Sequence, residues 1–316
     1  MGDILGYIFT TDFGYSVLRV TTPILFAAIA SVVAENSGAS NIALEGIMLF
    51  AALFGAVGSG LTHSLFGGFL CAILGGLVIT VLLGYFALFL KTDIILSGIA
   101  LNTLASGGSV FLMYVVLHDK GSTSSINTLS FPTISIPLLE KIPVIGQIFS
   151  GQNLLTYLAF VMVAVVWILL YKTRLGMHIR CVGENMEAAE SVGISIRKVK
   201  FIALIISGML ASLGGAFLSM GYMNGFSRDM VSGRGFIALA AAAMGQLSPV
   251  PTMLASLIFG FADALSNMLA AMRIPDEFVK LIPYATTIVG LILFSSMRKH
   301  QQKKKRIQAL LAAREG

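Results

Sequence analysis

Long apolar runs, parted only by short polar pieces, restrict this fold more than any other feature of the chain. They lie at roughly 15–34, 42–62, 65–90, 94–117, 153–171, 201–223, 235–247, 250–271 and 280–297. One helical crossing of a bilayer takes about 20 apolar residues, so most of these runs are long enough to span. Charged residues make up only 11% of the 316 positions and hydrophobic ones 56%, whereas a soluble chain carries roughly a quarter charged to solvate its surface. The sequence therefore predicts an all-α polytopic transmembrane bundle of about nine spans, with eight to ten compatible. It forms a single membrane domain over 1–316, with no soluble domain.

Two runs are candidates for broken helices, with discontinuity expected at one or both. The seventh is short and flanked by Gly233, Gly235, Gly245 and Pro249, and the second opens on Glu35-Asn36-Ser37-Gly38 and carries Glu45. Irregular backbone at membrane depth is tolerated only where protein shields it from lipid. The density of small residues within spans, as in Ala72 with Gly76 or Ala211 with Gly215, fits close helix packing, because lipid supplies no hydrophobic drive for helices to associate.

Orientation follows from Lys and Arg in short loops. Loop 172–200 holds Lys172, Arg174, Arg180, Arg197, Lys198 and Lys200, and the tail 298–316 holds seven more basic residues. Both are expected in the cytoplasm, which puts loop 118–152 outside. The side of the N-terminus depends on the span count and stays open. Residues 1–14 lack any Lys or Arg, unlike the basic start of a cleaved signal peptide, and read as a short interfacial helix.

Enzyme chemistry finds no support. No lysine follows a glycine, so the chain has no Gly-Lys-Ser/Thr phosphate loop. His63, His118, His178 and His300 are scattered, and the two cysteines, Cys71 and Cys181, cannot make a metal site alone. No metal or cofactor is expected. The remaining candidates are polar groups inside spans: Glu45, Asn102, Asp263 and Asn267, the last two four residues apart and so on one helix face. Their roles are open between pathway lining and interhelical hydrogen bonding.

A more specific signal lies in the basic loop. Residues 185–193 read as a short helix with Asn185 as N-cap, Glu187 in its first turn and Gly193 just past its end. Ser195 is placed to cap the following span. With Met186, Ala189 and Val192 as its apolar residues, such a helix is too short to stand without a partner, and it reads as a docking element.

The run Gly183-x-Asn185-x-x-Ala188-Ala189-x-x-x-Gly193-Ile194 resembles the cytoplasmic coupling region of ATP-binding cassette importer permeases of the simple-sugar, nucleoside and branched-chain amino acid group. Glu35-Asn36-Ser37-Gly38 with Asn41-Ile42-Ala43-Leu44-Glu45-Gly46, and Gly233-Arg234-Gly235-Phe236-Ile237-Ala238-Leu239-Ala240, are similar to two stretches of the nucleoside-type permeases. Asn36 departs from the usual Arg and Ala43 from the usual Gly. The resemblance implies that Gly183, Asn185, Ala188, Ala189 and Gly193 couple to a cassette ATPase. It also implies a second permease, identical or paralogous, and an extracellular or periplasmic solute-binding protein, in a bacterial cell membrane. The implied solute is a nucleoside or simple sugar, not a nucleic acid polymer. Two other readings stand beside it: an ion-coupled secondary transporter using Glu45 and Asp263, and a non-transporting membrane scaffold.

Overall fold

A computed structural model describes residues 10–119, 121–123, 125–135 and 145–271, with 285, 286, 288–290 and 292. In chain order its helices are α1 Thr11–Glu35, α2 Leu44–Thr62, α3 Leu65–Gly84, α4 Ile94–Leu117, α5 Ile145–Phe149, α6 Leu154–Lys172, α7 Arg174–Glu184, α8 Met186–Ser191, α9 Ile196–Phe217, α10 Arg234–Met244 and α11 Pro249–Ala271. Strands β1 Thr133–Ile134 and β2 Gln152–Asn153 form a two-residue antiparallel ribbon. α3 and α9 each continue into a π-helical turn, Tyr85–Phe89 and Leu218–Tyr222.

Among the described residues, α1, α2, α3, α4, α6, α9 and α11 are long and apolar enough to cross a membrane. The expected helical membrane bundle is found, with seven full-length helices described. The short seventh run becomes α10, whose 11 residues span about 16 Å, half a crossing. Ahead of α2, residues 36–43 are non-helical yet bury Ser37, Ala39, Asn41 and Ala43. Residues 1–9 of the expected interfacial N-terminus, the basic tail and most of the ninth run lie outside the described residues, whereas 11–14 form the first turn of α1.

The hub is α1. Every residue from Val20 to Ala34 is buried, as expected of a helix apolar all round, and α9, α10, α11 and α6 pack around it. Pro23 removes one backbone donor mid-helix, and the Thr21 and Thr22 hydroxyls next to it donate back to the Val17 and Leu18 carbonyls at 2.7 and 2.8 Å. α2 and α3 form a tight antiparallel hairpin. His63 takes left-handed backbone, and the Ser64 hydroxyl caps α3 by accepting from Gly67. Here glycine is required by space: a Cβ on Gly68 would lie 2.5 Å from the Ser59 Cβ. On the outside of the bundle, Leu70, Leu74, Val78 and Val81 of α3 and Val161, Val165 and Ile168 of α6 are exposed, at the spacing of a single helix face. These are surfaces for lipid.

The two ends of the bundle differ. One gathers the end of α1, α7, α8 and the start of α9; there the Lys200 ammonium donates to the Gly38 carbonyl at 3.2 Å. The other gathers the ribbon and the loop after α4, where Phe131 N–H donates to Met220 O at 2.8 Å and Thr123 N–H to Phe226 O at 2.9 Å. α7 is an addition to the sequence reading of 172–200. Its buried Gly176, Ile179 and Val182 recur every third residue, a helical signal masked by the basic residues around them.

Candidate functional site

Both intraspan carboxylates converge on the start of α10. The first N–H groups of a helix lack intrahelical acceptors and sit at its positive dipole end. Glu45, the second residue of α2, fills that position: Gly233 N–H donates to its Oε1 at 2.7 Å and Gly235 N–H to its Oε2 at 2.8 Å. Between these glycines, the Arg234 Nε donates to Asp263 Oδ2 on α11 at 3.0 Å, the two side chains being 11% and 12% exposed. The Arg234 Nη1 also donates to the Met230 and Val231 carbonyls, at 3.3 and 3.4 Å. A half-length helix that starts inside the membrane is thus pinned through its backbone by one acid and through its first side chain by another.

Sequence reasoning singles out the two acids and passes over Arg234. The available signal was charge balance, since acids in apolar runs pair with one another's opposites rather than stand alone. Asn102 on α4 is held at both ends by backbone: its Nδ2 donates to Ile42 O at 2.9 Å and its Oδ1 accepts from Gly46 N–H at 2.8 Å. It fastens the non-helical entry of α2 beside Glu45. The structure therefore joins Glu45, Asn102 and Asp263 into one assembly through α10 and α2. Asn267 stands apart, exposed, on the wall of a cavity of about 340 Å³ beside Asp12, Ser16 and Tyr222.

The proposed coupling residues occupy the opposite extremity. The Asn185 Oδ1 accepts from Ala188 N–H at 3.0 Å, capping α8. Past its end Gly193 takes left-handed backbone at φ 83, with its N–H on Glu190 O and Ile194 N–H on Ala189 O. Ser195 precedes α9 without a side-chain cap hydrogen bond, so that part of the sequence reading is corrected. The three apolar residues do not share one environment. Ala189 is 3% exposed, buried against its own chain, while Val192 is 73% and Met186 43% exposed; Ala188 is exposed as well. Gly183 has no room for a side chain: an added Cβ would collide with the Asn36 carbonyl oxygen. That contact brings the end of α7 onto the turn that ends α1. From the same turn, Asn36 Nδ2 donates to Leu247 O at 2.9 Å, in the link between α10 and α11.

A family model described as the permease component of the branched-chain amino acid transport system matches residues 15–293. The chain belongs to this permease family. The nucleoside ABC transporter permease protein NupC of Lactococcus lactis subsp. cremoris (strain MG1363) is 34% identical over 88% of this chain and 90% of the relative. The guanosine ABC transporter permease protein NupQ of Bacillus subtilis (strain 168) is also 34% identical, over the same shares. An inward-facing structure of a metal-chelate type ABC transporter shares the fold, with a TM-score of 0.50 and 17% identity over 91% of this chain and 88% of that one. This permease is a multi-pass membrane component of an ABC importer, not an enzyme. ATP hydrolysis belongs to a separate cassette ATPase, and the family works as paired permeases.

Proposed function

We propose that this permease imports nucleosides, receiving them from an extracellular or periplasmic binding protein and releasing them into the cytoplasm. The observation that carries the reading is the 34% identity, over about nine-tenths of both chains, to permeases named for nucleosides and guanosine. The interior chemistry supports it. Arg234 and Asp263 neutralise each other and Glu45 is taken up by the start of α10, so none of these three presents a free charge to a neutral polar solute. The same contacts speak against ion coupling, because the two carboxylates it needs already accept from donors of the chain itself.

In this reading the chain makes nine passes, with α10 and the segment before it as one broken pass, and the tail 298–316 lies on the ATPase side. Ala188, Val192 and Met186 face the ATPase, while Asn185 and Gly193 shape α8 and its exit. Movement of α8 reaches Asn36 through Gly183, and through Asn36 it reaches the link after α10. Both breaks in the bundle, at 36–43 and 245–248, are then displaced together. The pathway-facing helices move because their joints, not their bodies, yield.

The test is reconstitution of this chain with its second permease and ATPase in liposomes. Uptake of labelled guanosine or uridine that requires ATP and ignores proton or sodium gradients is expected. Uptake driven by an ion gradient without ATP would overturn the reading.

A further inference from the structure

Two Arg–Asp pairs lie on or beside the segment that leads into α10, and they are treated in opposite ways. Arg234 and Asp263 are closed off by the fold. Arg228 and Asp229 pair at only 3.5 Å, with side chains 67% and 56% exposed. The second pair reaches inward from the loop after α4, where Arg228 N–H donates to Gly121 O at 3.1 Å, to the body of that helix. The Ser106 hydroxyl donates to Asp229 Oδ1 at 2.9 Å, and Ser106 is the thirteenth of the 24 residues of α4. Four residues after Asp229, Gly233 is fastened to Glu45. A carboxylate held against the middle of α4, as Asp229 is, is strongly disfavoured against lipid and marks a polar pathway by default.

The backbone agrees. Asn224, Asp229 and Ser232 all have φ between 51° and 52°, a left-handed conformation that side chains other than glycine adopt at a cost. Such outliers gather where a site needs a particular display of side chains. On the side away from the coupling region, a cavity of about 330 Å³ is walled by Ser122, Asn127, Thr128, Asn224 and Ser227, the residue before Arg228. Its volume falls in the range of small-molecule sites. The buried Thr128 Oγ1 on its wall has no hydrogen-bond partner among the described residues.

We propose that Arg228 and Asp229 read the base of a 6-oxopurine nucleoside in transit, with the adjoining cavity taking the sugar; this rests on the nucleoside-importer reading. A guanine or hypoxanthine edge sets the O6 acceptor beside the N1–H donor. The guanidinium is matched to O6 and N7, as in recognition of guanine by arginine. The carboxylate accepts from N1–H, and from the exocyclic amine where one is present. Both solute and dyad are neutral overall, so no unpaired charge is drawn through the membrane. The contact of Arg228 to Asp229 is long enough to yield to the base, and Ser106 keeps the carboxylate in place when it does.

The experiment is ATP-driven uptake of guanosine, inosine, adenosine, cytidine and uridine by the reconstituted complex, wild type against Asp229→Asn, Asp229→Glu and Arg228→Gln. Expected is a loss of tenfold or more in guanosine and inosine uptake for Asp229→Asn and Arg228→Gln, with the other nucleosides changed less than threefold. Asp229→Glu, which retains the carboxylate, should keep the order of preference with a raised KM. If the wild type carries nucleosides and every variant keeps its order of preference, the base-reading role falls while the importer reading stands. If the wild type carries no nucleoside, both fall. Equal loss for all five solutes, together with loss of the second permease on co-purification, would make the dyad a subunit contact and overturn the proposal. Size-exclusion profiles and melting temperatures identify any variant that fails to fold, and the remaining substitution of the dyad then decides.

Discussion

Asp263 accepts from Arg234 at the start of α10. Its partner Arg234 is nearly buried, and removing one member of a buried pair leaves an uncompensated charge, at a cost of about 3–5 kcal/mol. Asp263→Leu should therefore lower the melting temperature of the purified protein, whereas Arg234→Met combined with Asp263→Leu should recover most of it, because a well-packed apolar replacement of such a pair is close to neutral. Equal melting temperatures for the single and double variants would show that the pair carries no such coupling. Gly183 makes the contrast between space and conformation. Gly183→Ala drives a Cβ into the Asn36 carbonyl oxygen, a backbone atom that no rotamer change can move. Gly193→Ala meets open space and only the cost of a left-handed backbone, about 1–2 kcal/mol. Uptake per ATP hydrolysed is expected to fall at least tenfold for Gly183→Ala and less than threefold for Gly193→Ala. The sequence showed both glycines as part of one motif; that one is a contact and the other a turn depends on which segment lies opposite, which no local pattern records.

At the scale of elements, α8 and α10 were legible for different reasons. α8 announced itself through its cap and its terminal glycine, both of which act within a few residues. What its own sequence could not show is the direction of its apolar residues, because Ala189 turns inward to its own chain while Ala188 and Val192 stay exposed. This decides the choice of variant. Ala189→Asp would bury a charge inside the permease and harm folding whatever the ATPase does. Ala188→Asp is expected to leave the fold intact, since Ala188 is exposed, and in the proposed docking it presents the charge to the ATPase surface. Pull-down of the ATPase by the Ala188→Asp protein is expected to weaken at least tenfold with no change in permease melting temperature; undiminished binding would take Ala188 out of the interface. α10 was legible as a short apolar run between glycines, yet its anchoring was not. Glu45 lies 188 residues before Gly233, and the pairing appears only once α2 and α10 are brought together around α1. The role of Asn102 was hidden for the same reason, since its two backbone partners belong to another segment, Ile42 ahead of α2 and Gly46 within it.

For the whole molecule, the decisive question is which end faces the cytoplasm, and a native side chain can answer it. Cys181 lies on α7 and is exposed. It shares that end of the bundle with the exposed Lys172, Arg174, Arg197 and Lys198, and a concentration of Lys and Arg in a short loop marks the cytoplasmic side. Each such residue near an anionic leaflet contributes about 1 kcal/mol, and the four act in the same direction. Cys71 is half-buried within α3 and is replaced by serine so that one thiol reports alone. A membrane-impermeant maleimide should then label Cys181 in inside-out vesicles and leave it untouched in intact cells. Gly121 supplies the opposite end: it is exposed, and a Cβ there meets nothing within 4 Å, so Gly121→Cys in a background without other cysteines adds a thiol at no steric cost. It should react in intact cells and be protected in inside-out vesicles. The two thiols of opposite sidedness make the result independent of labelling efficiency. Reaction of Cys181 from outside would invert the bundle, removing α8 from any cytoplasmic ATPase and with it the coupling role of the residues between Gly183 and Gly193.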